Sequence, residues 1–273
     1  MMKLSFSTLG CPRWSLDRIF RAAGEYGFQG IEVRGLQDDL DITGRPEFTS
    51  GAHVTRRQLQ DRALEIACFS SSVMLSNPDA SVSEASFEEL KRYTQLCARF
   101  GTSFIRVFGG SIGPIPREAA LDSAAASLQK MAEIVKDTKV KILVETHDDW
   151  MRADHMKSLM TTAASDNVGM LWDTNHPFMF LGEMPAKTWE ETGTWVHHTH
   201  WKDSKRNPKA KHGFDPVLMG EGDVPHKEIY QVLKNGDYDG YLSLEWEKRW
   251  HPEIPEPEIA FPQYAEYMKR LCI

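Results

Sequence analysis

This sequence lacks long apolar runs, paired cysteines and an excess of positive charge. No apolar stretch approaches the roughly 18 residues that a membrane-spanning helix needs. The four cysteines, Cys11, Cys68, Cys97 and Cys272, form no C-x-x-C pair. Their spacing excludes a dense disulfide framework and reads as free thiols in a reducing compartment. Lys and Arg number 32 against 39 Asp and Glu, a net charge of -7. That balance argues against a general nucleic-acid binder and gives no attraction to an anionic membrane. The opening stretch, Met1–Trp14, is too polar for the apolar core of a secretory signal. A cytoplasmic protein is therefore expected. A G-x-G-x-x-G is missing after the first strand, which removes the main reason to expect a dinucleotide-binding open sheet. No Pro/Gly/Ser-rich linker divides the chain, so residues 1–273 read as one domain.

What is present alternates regularly. Hydrophobic residues make up 41% of the chain, enough for a large core without disulfides or a structural metal. Eight β-rich runs are expected as strands: 4–8, 30–34, 66–70, 104–108, 141–146, 168–173, 196–202 and 241–246. Helical periodicity separates them. In the first such segment Leu16, Ile19, Phe20 and Ala23 share a stripe, with Ser15 as N-cap and Gly27 as stop. A third helix is read over 83–100, and Pro116 starts a fourth. Strict strand–helix alternation implies a parallel sheet, and eight units suit a closed (β/α)8 TIM barrel. Two insertions, 36–53 and 204–223, follow the second and seventh strands, at the rim where barrel active sites lie.

Side chains alternate across a strand, and one parity here carries charge. Glu32 and Arg34 oppose Ile31 and Val33; Arg106 opposes Ile105 and Val107; Glu145 and His147 oppose Val144 and Thr146. Asp173 is in register with Leu171; His198, His200 and Lys202 align; Glu245 and Glu247 align with Ser243. Parallel strands are normally apolar on both faces, so this parity is assigned to the lumen. An unpaired charge there is costly. One account is an internal salt-bridge layer, with Arg34, Arg106 and Lys202 neutralising Glu32, Glu145 and Glu245. For Glu32, Arg34 and Arg106, substrate binding is the equal alternative. The C-terminal half fits the salt-bridge account less well. Glu145, Asp173, His200 and Glu245 stand at the ends of four consecutive strands and offer three hard oxygens and one imidazole. That mixture suits Mn²⁺, Mg²⁺, Co²⁺ or Zn²⁺ and not a soft thiolate site.

These residues resemble the xylose isomerase-like TIM barrels, in particular the sugar phosphate isomerase/epimerase group. The matching stretches are Gly30-Ile31-Glu32, Leu143-Val144-Glu145-Thr146-His147, Trp172-Asp173-Thr174-Asn175-His176, His198-Thr199-His200-Trp201-Lys202-Asp203, Gly220-Glu221-Gly222-Asp223 and Leu244-Glu245. The resemblance implies one divalent ion, often Mn²⁺, on Glu145, Asp173, His200 and Glu245. It implies that His176 touches a small sugar-like substrate, and that Arg206, six residues after the metal histidine, approaches it. His147, Arg106 and Lys202 complete the expected substrate set, although Lys202 equally suits pairing with a lumen acid. The implied chemistry starts with loss of a proton beside a carbonyl, giving an enediolate, with Glu145 and Glu245 as bases. A homo-oligomer fits the pattern among relatives.

Three rival readings remain. A lyase of the inosose or dehydroshikimate dehydratase type shares the first step. An endonuclease-IV-like nuclease would need histidines where this chain has Ser70-Ser71-Ser72 and Phe108-Gly109-Gly110. A metal-free binding protein is opposed by the complete ligand set. Trp14, Trp150, Trp246 and Trp250 lie near strand ends, suited to rim packing or to stacking on a sugar.

Overall fold

In the computed structural model, which describes residues 2–75 and 80–272, eight parallel strands close into a barrel. In chain order the elements begin β1 (Lys3–Ser7), α1 (Leu16–Tyr26), β2 (Gly30–Val33), α2 (Ala52–Gln60), β3 (Glu65–Met74), α3 (Ala80–Phe100), β4 (Phe104–Phe108) and α4 (Arg117–Val135). They continue with β5 (Lys141–Glu145), α5 (Ala153–Ala163), β6 (Val168–Asp173), α6 (His176–Leu181), α7 (Pro185–Thr192) and β7 (Val196–Trp201). The last are β8 (Asp203–Arg206), β9 (Phe214–Val217), α8 (His226–Asn235), β10 (Tyr241–Leu244) and α9 (Pro257–Leu271). Around the barrel the order is β1-β10-β7-β6-β5-β4-β3-β2. The fold is a single-domain (β/α)8 TIM barrel. Among the described residues no helix is long and apolar enough to cross a membrane.

Local chemistry accounts for the boundaries. The Ser15 hydroxyl accepts from the Arg18 N–H and Asp17 sits in the first turn, while Gly27 ends α1 at φ 83°. Pro116 precedes α4, where a missing N–H is harmless. β3 is longer than its apolar run suggests. Its tail is fixed by hydrogen bonds, with the Ser71 hydroxyl donating to Arg106 O (2.7 Å), and a register shift lies between Ser70 and Met74. The second insertion is not irregular: β8 and β9 pair antiparallel over the rim.

Strand parity separates shell from lumen. Ile31, Val33, Ile105, Val107, Ile142, Val144 and Leu242 are buried against the helical shell. The alternate residues Glu32, Arg106, Glu145, His198, His200 and Ser243 are equally buried, in the lumen. Register lines up Ser243, His200 and Asp173 across β10, β7 and β6. α9 seals the seam, with Phe261 packed on Phe6 at 4.3 Å and Tyr264 stacked on Phe28 at 6.1 Å. Each such ring, fully buried, contributes about 1.5–3 kcal/mol. All four cysteines are free.

Candidate metal and substrate site

The site is built on the C-terminal ends of β5, β6, β7 and β10. Glu145, Asp173, His200 and Glu245 each offer one donor atom, and these atoms lie within 4.8 Å of one another. All four side chains are buried. His200 is the pivot. Its Nδ1 faces Glu145 Oε1 at 3.1 Å and Glu245 Oε2 at 3.4 Å, while its Nε2 donates to Glu32 Oε1 at 2.8 Å. Ionised carboxylates only accept, so in this arrangement both ring nitrogens carry protons. Burial opposes that charge, but Glu245, Glu32 and Glu145 outweigh it and hold the pKa well above the usual imidazole value.

Glu32 lies one layer deeper and is saturated. Besides His200 it accepts from His198 Nε2 (2.9 Å), Ser70 Oγ (2.7 Å) and Ser243 Oγ (2.9 Å). Burial disfavours its charge, yet the two histidines keep it ionised, well below the ordinary carboxylate range. A carboxylate behind the far nitrogen fixes the ring so that Nδ1 faces the three acids. This is the arrangement by which outer partners orient metal-binding histidines. Alternation along β2 alone is compatible with Glu32 in a salt-bridge layer or at the substrate. Its parity was visible, but its partners lie across the barrel.

The donor set fits a divalent cation. Asp173 is pushed above the usual carboxyl range by burial and by Glu245 and Glu145, against the pull of Lys202. Its Oδ2 makes no hydrogen bond, although Lys202 Nζ is 2.9 Å away. A cation among these oxygens would remove that repulsion. The buried acids and histidine therefore form a possible metal site of hard oxygens and one nitrogen.

The predicted salt bridges are partly as expected. Arg106 Nε faces Glu145 Oε2 at 3.2 Å, and Lys202 Nζ meets Glu245 (2.6 Å) and Glu247 (3.3 Å). Arg34 does not neutralise Glu32. Histidines do, and the buried Arg34 Nη1 has no hydrogen-bond partner. Burial and the neighbouring Arg106 lower the Arg34 pKa to about 10.

A cavity of 380 Å³ opens above the cluster, lined by residues of the loops after β5, β6, β7 and β10. His147, His176, Lys202 and Glu245 line it. His176 accepts no charge: burial, then Lys202 and His147, lower its pKa to about 3. Its neutral ring donates from Nδ1 to Thr146 O (3.0 Å), leaving Nε2 as an acceptor. His147 contacts Asp148 at 2.9 Å; burial opposes its charge, but Asp148 wins and raises its pKa. Two predicted substrate residues are not in the cavity lining. Arg106 lies beneath it, its guanidinium 3.8 Å from the Phe108 ring and bonded to Ser71 O. Arg206 is on the exposed side of the β8–β9 hairpin, its guanidinium 5.9 Å from the Phe178 ring. Of the tryptophans near strand ends, Trp246 lines the cavity, Trp14 and Trp150 are core residues, and Trp250 is half exposed.

Asp203 was not anticipated. Its Oδ2 accepts from the N–H groups of Gly220 (2.8 Å) and Gly222 (2.9 Å), and its Oδ1 from Ser204 (2.9 Å) and Val224 (3.3 Å). This carboxylate ties the Gly220-Glu221-Gly222 turn to the start of β8. A larger cavity of 470 Å³ lies at the opposite end of the barrel, by the starts of β3 and β4, far from this cluster.

A family model described as xylose isomerase-like TIM barrel matches residues 20–271. Inosose dehydratase from Clostridium perfringens is 22% identical over 266 residues, 88% of this chain and 82% of that protein. Fructoselysine 3-epimerase from Escherichia coli O157:H7 is 19% identical over 281 residues, 99% of this chain and 98% of that one. Among solved structures, IOLI protein with a binding zinc atom superposes with a TM-score of 0.80 at 20% identity, over 99% and 96% of the two chains. At that identity the likeness shows the fold.

Proposed function

The chain belongs to the xylose isomerase-like TIM barrel family, and from that premise we propose that it isomerises or epimerises a small sugar-like substrate by moving a proton beside a carbonyl. The observation that supports this most is the convergence of Glu145, Asp173, His200 and Glu245, the last of which lines the cavity. These four would hold one divalent ion. Three hard oxygens and an imidazole suit Mn²⁺, Mg²⁺, Co²⁺ or Zn²⁺, and the family resemblance favours Mn²⁺ among them. When bound, the ion supplies Lewis-acid polarisation of the substrate carbonyl and offsets negative charge on its oxygens.

The side chains of this chain account for the proton's path. Glu245 opens on the cavity, and His200 and Lys202 overcome burial to keep it ionised, so it can accept a proton from substrate. Glu145 approaches from the β5 side and is likewise ionised, held by His200 and Arg106 against burial. Two bases on different sides allow removal from one face or carbon and return to another. His176 Nε2 is an acceptor for a substrate hydroxyl. Lys202 positions Glu245, Asp173 and Glu247 rather than standing free. We take residues 1–273 as one catalytic domain working in a reducing cytoplasm, in keeping with its free thiols.

The test is a panel of ketoses, ketose phosphates and inososes with Mn²⁺ in D₂O, followed by NMR. Deuterium at the isomerised or epimerised carbon is the expected result. Net loss of water from the substrate would replace this reading with a dehydratase, the activity named for the inosose dehydratase relative.

A further inference from the structure

We propose that the substrate is an uncharged polyol carbonyl compound that carries a flat apolar substituent, the polyol reaching the carboxylate cluster and the substituent lying along the cavity wall. This rests on the function proposed above and narrows its substrate class.

The charges of the cavity oppose a phosphate group. Asp148, Asp203, Glu245 and Glu247 line it, and Lys202 is the cationic Lys or Arg among its lining residues. Lys202 is already committed to Asp173, Glu245 and Glu247 at 2.9, 2.6 and 3.3 Å. Arg206 rests over Phe178 outside the lining. Backbone donors are taken as well. The N–H groups of Gly220 and Gly222, the glycine-rich turn at this rim, both donate to Asp203. A phosphate carries roughly -1.5 to -2 charges at neutral pH; here it would meet four carboxylates and a committed Lys202, and its donors would be the single imidazoles of His147, His212 and His251 rather than a guanidinium fork.

The walls are suited to something else. Phe180 stands edge-on to Phe214 at 4.9 Å and to His176 at 5.7 Å, so an aromatic path runs from the cavity floor to its mouth. Met151, Pro216 and Trp246 line the same cavity. Phe180 is 42% exposed and its neighbours Leu181 and Met184 are 48% and 46% exposed. Phe180 is thus an exposed apolar side chain in the lining of a polar-floored pocket. A cavity of 380 Å³ belongs to the size class that takes a ligand with an apolar body and a few polar anchors. A planar ring against Phe180 and Phe214 would gain offset or edge-on aromatic contact.

The probe set is one ketohexose in three forms, the free sugar, its 6-phosphate and its 6-O-phenyl ether, all of which keep the carbonyl. Binding to the full, Mn²⁺-loaded chain is measured by calorimetry. The phenyl ether is expected to bind about tenfold more tightly than the free sugar, the size of one good aromatic contact. The phosphate is expected to bind no more tightly than the free sugar. In Phe180→Ala the ratio of phenyl-ether to free-sugar affinity should fall towards one, and Phe180→Leu, which keeps the apolar bulk, should retain part of it. Tightest binding by the phosphate overturns the proposal. So does the lack of any gain from the phenyl group, including no binding by all three, or an unchanged ratio in Phe180→Ala. Failure of the reaction is read separately, because a chain that prefers the phenyl ether yet exchanges no proton beside its carbonyl in D₂O keeps this inference and loses the proposed chemistry.

Discussion

Replacing Glu32 with Gln tests whether the deep carboxylate sets the metal affinity of a site it does not enter. Glu32 accepts from Nε2 of His200 at 2.8 Å, and His200 Nδ1 is the nitrogen facing Glu145 and Glu245. Gln keeps the shape and two hydrogen-bonding atoms but removes the charge that fixes the ring and raises its basicity. Loss of such an outer carboxylate typically lowers metal affinity about 10- to 100-fold, or about 1.4 to about 2.7 kcal/mol. The pH dependence adds a signed check. Metal must displace a proton from His200 Nδ1, so affinity rises with pH in the wild type. Glu32 is one of the charges that holds this proton. Glu32→Gln should therefore show the full loss towards about pH 9 and a smaller one towards about pH 6, where the wild-type ring is protonated more firmly. Competition with a fluorescent chelator for Mn²⁺ or Zn²⁺ across that range measures both. Equal affinities at the alkaline end would refute the reasoning, since Glu32 would then be only a buried counter-ion. Circular dichroism confirms that the variant is folded.

Glu145→Gln and Glu245→Gln should each lose about 10²- to 10⁴-fold in turnover, and near-normal activity in either removes that residue as a base. Asp203→Asn should release the turn at Gly220 and Gly222 and cost about 1–3 kcal/mol in denaturant unfolding. Burial disfavours the Asp203 charge, but His226 and the Gly222 and Gly220 N–H groups pull its pKa below 3.8. Its contribution is thus present above the unfolded value and lost as pH falls through the folded one, so wild type and Asp203→Asn should converge in stability below about pH 4. A gap that persists in strong acid would show that shape, not charge, is what counts. Gly222→Ala would place a methyl 2.2 Å from Asp203 Oδ1 and 2.5 Å from Ser204 O, so the turn must shift. A melting temperature unchanged in Gly222→Ala would mean the turn has slack that the contacts do not suggest.

The barrel and the ring of acids were legible because they are written in short-range periodicity. Alternation along 30–34, 141–147 and 196–202 told lumen from shell, since a parallel strand buried on both faces has no other reason to carry charge at every second position. The same alternation did not say which charges would meet. Arg34 and Glu32 share a strand face, yet Glu32 is neutralised by His198 and His200, which lie 166 and 168 residues away in sequence. Arg206 had the expected spacing, but antiparallel pairing of β8 with β9 carries it over Phe178. The end of β3 does not show in the sequence because its polar residues are held by hydrogen bonds, Ser71 Oγ donating to Arg106 O and Ser72 N–H to Glu89, not by an apolar pattern.

Residue order alone thus determined an eight-stave barrel and the four ends that carry its candidate ligands, because strand period, helix caps and hydrophobic stripes act within a few residues. Tertiary structure decided the rest: the carboxylate behind His200, the tether from Asp203 to its turn, and the aromatic wall rising from His176 through Phe180 to Phe214. The first contact spans 168 residues of sequence and the wall crosses from α6 to β9, so the curvature and register of the closed barrel bring them within reach, whereas the tether closes over 17 to 19 residues inside the insertion that follows β7.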